Sequence, residues 1–159
     1  MRIPPVTQDL WEVIRDRINT ATMATILKGT NRVYIEGDYV GQPWGEEQAG
    51  GRAVVVPVAV VGGTPWEDGS PLPLRFLIRT DFNDVDYPGL HNDPELAQRE
   101  AARRLSHWNP NTVLASNKVM AASLVRLDAA WQPRILADEA SGTVFMSSSW
   151  FVDVASTAD

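Results

Sequence analysis

A chain of 159 residues, 44% hydrophobic and 21% charged, is long enough for one domain with its own core, and we expect a single domain over residues 1–159 with a frayed end from about residue 155. Its 14 basic against 20 acidic residues leave a net charge of -6, which argues against sequence-independent nucleic-acid binding by the chain as a whole, since that needs a basic footprint. The lack of cysteine excludes a disulfide framework, a thiolate metal site and a cysteine nucleophile; the start MRIPPVTQDLW lacks a signal-peptide core, and no apolar run reaches membrane-spanning length, so neither secretion by a standard signal nor a membrane span is expected.

After Pro4-Pro5, Thr7 or Asp9 can cap a helix whose Leu10, Ile14 and Ile18 recur every four residues, with Trp11, Val13 and Ala21 widening the stripe. The pattern loosens at Asn19-Thr20, resumes from Ala21 to Leu27 and stops at Gly29, a residue suited to the end of a helix. Arg32 to Ile35 reads as a first strand and Arg52 to Val61 as a second, apolar on nearly every residue and therefore covered on both faces. Between them, Glu36 to Gly51 holds Gly37, Gly41, Pro43, Gly45, Gly50 and Gly51 with Tyr39 and Trp44 among acidic residues. A connection of about fifteen residues exceeds the usual two to six and points to function or disorder.

Pro57 removes a ladder donor, which predicts a bulge or an edge position there. Gly62 to Pro71 supplies a hairpin-type turn into a third strand, Leu72 to Thr80, antiparallel to the second. In that strand Leu74, Phe76 and Ile78 alternate with Arg75, Leu77 and Arg79, so one face is buried and the other can meet water or a neighbouring subunit. Asp93-Pro94-Glu95 starts a helix with Leu96, Ala97, Ala101, Leu105 and Trp108 as its apolar stripe, closed by Asn109-Pro110. Ala121 to Trp131 and Arg134 to Asp138 are weaker strand candidates, and Val144, Met146, Trp150, Val152 and Val154 alternate in a last strand. The order predicts an α+β domain, a mainly antiparallel sheet packed on two principal helices with long inter-strand loops.

Catalytic motifs are missing: His91 and His107 have no ligand spacing, His107 reads as a surface residue, and no nucleophile elbow or phosphate loop occurs. Ser147-Ser148-Ser149 reads as strand, with at least one serine facing solvent by alternation. The acidic stretch Asp81 to Glu95 partly matches a calcium loop through Asp84, Asp86, Gly89, Asn92 and Glu95, against which stand Pro88 and the strand in place of an entering helix. Trp44, Trp66, Trp131, Tyr39, Tyr87 and Phe82 fall in loops or near chain breaks, where aromatics suit a protein interface. The interface candidates are Tyr39, Trp44, Glu46, Glu47, Trp66, Arg75 and Arg79.

The amphipathic first helix, NRVYIEGD, the glycine- and proline-bearing loop, the valine strand, a strand ending LIRTDF, the helix QREAARRLSHW and the last strand SSWFVDV follow one another in an order that resembles the tail terminator (tail completion) proteins of long-tailed bacteriophages with non-contractile tails and related particles. The resemblance runs from about Leu10 to Val154 and rests on element order and on residues such as Arg32-Val33-Tyr34 and the Ala97, Ala101, Leu105 repeat. It implies a non-enzymatic structural protein without cofactors, assembled in the host cytoplasm into a hexameric ring on the head-proximal end of the tail tube within the virion. Its implied partners are further copies of itself, the tail tube protein and the head-completion protein, with DNA only passing through the lumen and no membrane. A chain of this charge would give such a channel an acidic surface. Two other readings stay open: another neck component such as a head-closure protein, and a metal- or small-ligand-binding domain built on Asp81 to Glu95 with His91.

Overall fold

A computed structural model describes residues 7–36, 50–60, 72–83, 93–110, 120–122, 124–128, 136–138 and 143–156. In chain order the elements are α1 (Thr7–Ile18), α2 (Ala21–Leu27), β1 (Val33–Ile35), β2 (Gly51–Val60), β3 (Leu72–Asn83), α3 (Asp93–Leu105), β4 (Met120–Ala122), β5 (Arg126–Leu127), β6 (Leu136–Asp138) and β7 (Thr143–Ser156). The strands form one sheet in the order β1-β2-β3-β7, and β4, β5 and β6 all pair in turn along the far side of β7. Every pairing is antiparallel except β1 with β2, so the fold is α+β with a mainly antiparallel sheet.

That parallel pair gives the long connection between its strands a structural reason. Val33, Tyr34 and Ile35 lie beside Ala53, Val54 and Val55 with the same chain direction. Parallel neighbours cannot be joined by a tight turn and need a crossover of a dozen or more residues. The length between Glu36 and Gly51 is therefore demanded by topology before any function is asked of it.

Alternation sorts the side chains. On one face of the sheet lie Val33, Ile35, Ala53, Val55, Leu74, Phe76, Ile78, Phe82, Val144, Trp150, Val152 and Val154, all buried, and the helices cover them with Leu10, Trp11, Ile14, Ile18, Met23, Leu27, Ala97, Ala101 and Leu105. Trp11 meets Phe76 with ring centroids 5.7 Å apart and planes tilted at 58°. Phe82 belongs to this core: β3 runs on to Asn83, opposite Thr143, and the residue read from sequence as lying near a chain break is fully buried. Pro57 marks an irregularity, with the β2–β3 register shifting between Pro57 and Val60, and β1 accompanies β2 only as far as Val55.

Thr20 starts α2 by accepting a bond from Met23 N–H at 3.0 Å and donates from its hydroxyl to Glu100 at 2.9 Å. The helix ends in a Schellman arrangement, Gly29 N–H to Ala24 carbonyl and Lys28 N–H to Thr25 carbonyl, with Lys28 in the left-handed position at φ 61°. Gly29 is thus one residue past the site the sequence suggested; a Cβ on it would overlap the Arg32 guanidinium, which caps the same helix through the Leu27 carbonyl at 3.1 Å. Gly50, at φ 103°, returns the chain against this cap, where a Cβ would meet the Leu27 carbonyl oxygen.

Arg17 donates to the Arg104 carbonyl at 2.9 Å and Arg104 donates to the Arg17 carbonyl at 3.1 Å, so α1 and α3 cap each other's C-terminal carbonyls. The helix α3 stops at Leu105, before Asn109-Pro110, although Trp108 still packs into the core under the Arg17 guanidinium at 5.1 Å. His107 takes a left-handed turn, φ 59°, and is exposed, as its sequence reading as a surface residue requires. Leu96 is 44% exposed and does not belong to the buried stripe; Gln98 takes the sheet-facing position instead.

Candidate interaction surface

Both arginines proposed from the sequence as interface residues, Arg75 and Arg79, stand on β3 on the sheet face turned away from the helices, because they alternate with the buried Leu74, Phe76 and Ile78. The register brings β7 and β2 residues beside them: Arg75 opposite Phe151, Arg79 opposite Ser147 and Val54, and Asp81 opposite Phe145 and Arg52. Asp81 is the centre of one cluster. Its carboxylate accepts from Arg79 Nε at 2.6 Å and from Arg52 Nε at 3.1 Å while only 1% exposed. Two charge-assisted bonds make burial of a carboxylate tolerable, and the planar guanidinium of Arg79 also lies 4.3 Å from the Phe145 ring centroid.

A second cluster surrounds Phe151. Arg75 donates to Ser149 Oγ and to Asp128 Oδ2, both at 2.8 Å, and lies 5.6 Å from the Phe151 ring centroid. From the other side Arg126 sits 5.5 Å from the same ring and pairs with Asp153 at 3.1 and 3.3 Å. The face therefore carries Arg52, Arg75, Arg79 and Arg126 against Asp81, Asp128 and Asp153, with guanidiniums laid over Phe145 and Phe151. Chemically it is a set of fixed ion pairs with aromatic backing, suited to contact with another macromolecular surface.

On the helix side a single polar network links α3 to the sheet. The Gln98 amide nitrogen donates to the carbonyls of Ile78 at 2.8 Å and Met146 at 3.1 Å, and its oxygen accepts from Ser148 Oγ at 2.7 Å. Trp150 Nε1 donates to Ser148 Oγ at 2.7 Å, and Thr80 Oγ1 donates to the Pro94 carbonyl at 3.0 Å. Ser148 and Ser149 are both buried and Ser147 is partly so, which accounts for the serine run as strand residues bonded on opposite faces. Beside the network, between α3 and the β5–β7 edge, lies a cleft of about 210 Å³ lined by Gln98, Ala102, Leu127, Met146, Ser148 and Trp150, with Glu95 and Arg99 at its lip.

Glu100 joins the helices. It is 5% exposed and accepts from Thr20 and, at 2.7 and 2.8 Å, from both forks of Arg103. The Arg103 bonds hold its carboxyl below the usual glutamate value, burial working in the opposite direction and Thr20 adding to the lowering. The same contact raises Arg103, while burial first, then Arg104 and Arg103, lower Arg17.

Of the calcium candidates, Glu95 lies in the first turn of α3 and accepts from Arg99 at 2.8 Å, an ordinary helical i,i+4 pair. Asp84, Asp86 and Asn92, and the interface candidates Tyr39, Trp44, Glu46, Glu47 and Trp66, lie outside the described residues. Sequence reasoning missed Arg52, Asp81, Arg126, Asp128, Phe145, Phe151 and Asp153. Alternation in β7 puts Phe145, Phe151 and Asp153 opposite the apolar Val144, Val152 and Val154, but only the register assigns them to Arg75, Arg79 and Arg126.

No family model matches the chain, and no curated protein matches it. Nine chains of solved structures do. One, from a structure described as the virion of a native gene transfer agent (GTA) particle, superposes with a TM-score of 0.58 at 10% identity, over 92% of this chain and 94% of its own. The two share a fold from end to end.

Proposed function

We propose that this chain is a structural, non-enzymatic virion protein of a phage-like particle, and that it acts as a tail terminator: six copies close into a ring on the head-proximal end of the tail tube, end its growth and join it to the head-completion protein. The observation that carries the reading is the end-to-end likeness to a chain of the gene transfer agent virion. The order of elements, which resembles that family independently of any structure, supports it. So does the sheet face bearing Arg75 and Arg79, whose arginines are each held by an aspartate and whose phenylalanines lie under guanidiniums, a surface suited to a neighbour and unlike a catalytic site. DNA passes through the ring without being bound by it.

The test is the native mass of the purified protein, alone and after incubation with isolated tail tubes, with negative-stain images of tube ends. A ring at one end of each tube is expected. A protein that stays monomeric and leaves tube ends bare sinks the proposal, and a ring that binds the portal side of a neck instead of the tube reassigns it to head closure.

A further inference from the structure

We infer that the C-terminal ends of α1 and α3 together form an oxyanion site, where the Arg17 and Arg104 guanidiniums receive the carboxylate of an aspartate or glutamate on a neighbouring copy of this chain. The site stands on its own geometry; the copy as its occupant rests on the ring reading.

The two helix ends hold each other's arginines through one edge only. Arg17 Nε donates to the Arg104 carbonyl at 2.9 Å, and Arg104 Nε donates to the Arg17 carbonyl at 3.1 Å. Trp108 lies under the Arg17 guanidinium, 5.1 Å away, and steadies it from below. The Nη amines carry most of a guanidinium's donors, and among the described residues those of Arg17 and Arg104 are bonded to nothing. Both side chains are half-buried, so water solvates these donors only in part.

Elsewhere the chain pairs its arginines with acids. Arg52, Arg75, Arg79, Arg99, Arg103 and Arg126 each have a carboxylate within 3.1 Å. Arg17 and Arg104 have only peptide carbonyls among the described residues. A helix C-terminus carries about half a negative charge, so two of them offset about half of two guanidiniums. The adjacent Arg103 adds nothing net, because it holds Glu100 at 2.7 and 2.8 Å. About one positive charge is left at the junction. Its effect is felt by Arg17, which is lowered first by burial and then by the charges of Arg104 and Arg103. A carboxylate placed on the two forks would offset that repulsion and satisfy the Nη donors.

Planar guanidinium donors match a carboxylate or a phosphate through paired, charge-assisted bonds. Binding along a DNA backbone needs a basic footprint, and two guanidiniums in a chain of 20 acidic and 14 basic residues do not make one. The same count favours a copy of the chain: at a net charge of -6, every copy carries carboxylates in excess of its own cations. In a closed ring each subunit presents the same pair of unlike surfaces, so one acid meeting one junction is repeated around the assembly. Such a contact fixes the register between subunits and opposes the approach of two junctions to each other.

The experiment follows the Nε–H resonances of Arg17 and Arg104 in the whole chain, below the concentration at which copies associate, during titration with sodium acetate against sodium chloride at equal ionic strength. Arg17→Gln and Arg104→Gln assign the resonances; glutamine keeps an amide that can donate to the helix carbonyl, and urea midpoints establish that each variant is folded. Saturable shifts of both resonances with acetate alone are expected, and each variant should abolish the shift of the arginine that remains. At higher concentration, native mass spectrometry and sedimentation read the assembly state. Each glutamine variant should weaken association between copies by about tenfold or more, and Arg104→Glu should prevent it. Acetate shifts no larger than those with chloride overturn the inference, as does association of both variants at wild-type strength, which leaves the ring itself standing. A short DNA duplex that shifts the two resonances while acetate does not gives the site to phosphate and overturns it too. A wild-type protein that never associates removes the ring reading and the copy as occupant, and the acetate titration then decides the site alone.

Discussion

On the helix-covered face of the sheet the buried side chains are apolar, apart from Thr80 and Ser148 bonded around Gln98, whereas on the opposite face Asp81 is equally buried and is kept there by two arginines. The first face is held by removal of carbon surface from water, which is non-directional and tolerates small adjustments. The second is held by directed, charge-assisted bonds whose partners come from three different strands, β2, β3 and β7, and from Asp128 just beyond β5. One face is held by packed carbon surface; the other is held by a fixed pattern of charge pairs and aromatic rings. Directed pairs are costly to break by halves, because the surviving charge stays behind.

The sharpest contrast comes from removing one large group on each face. Phe76→Ala, fully buried against Trp11, is expected to lose about 3–5 kcal/mol in urea unfolding. Asp81→Asn should cost about 3 kcal/mol, because Arg52, with 14% of its side chain exposed, is left without its carboxylate. If Asp81→Asn instead proves neutral, the outer face is held by packing like the inner one and the comparison fails. Gln98→Ala, which strips the polar link from the helix side and takes away the acceptor of the buried Ser148 hydroxyl, should cost about 2 kcal/mol.

Smallest is Glu100→Gln, about 1 kcal/mol near neutral pH, and its pH dependence tells more than its size. Because folding lowers the Glu100 carboxyl, its contribution is fully present above the ordinary glutamate value of 4.5 and is lost as pH falls through the lowered value in the folded state. The difference in stability between wild type and Glu100→Gln should therefore shrink on acidification through that window. A difference that stays constant down to the acid limit would mean that the helix junction depends on shape and not on the Arg103 pair.

Much of the inner face is legible in the sequence. Leu10, Ile14 and Ile18 recur with a helical period, Leu74, Phe76 and Ile78 with a strand period, and each set lands in the core. Arg75 and Arg79 follow from the same alternation, and Pro57 announces the irregularity in β2. Less legible are the positions where two local signals compete. Leu96 looks like part of an apolar stripe, but α3 turns Gln98 to the sheet because strand carbonyls there accept its amide. Gly29 looks like the helix terminator, but Lys28 takes the left-handed position, where its ammonium reaches Asp93 at 3.2 Å and ties α2 to the start of α3.

The sequence by itself determined where the principal helices and strands lie and most of their apolar positions, because those properties are periodic over a few neighbouring residues; the strand read over Ala121 to Trp131 is instead the two short strands Met120–Ala122 and Arg126–Leu127 among the described residues. It also set the charge balance of the connections, which composition alone reports. Only the tertiary structure decided that β1 runs parallel to β2, which makes the long connection before Gly51 a crossover, and that Asp81 binds Arg52, 29 residues away, as well as its neighbour Arg79. Strand order and register are settled by contacts between distant segments, and no local period carries that information.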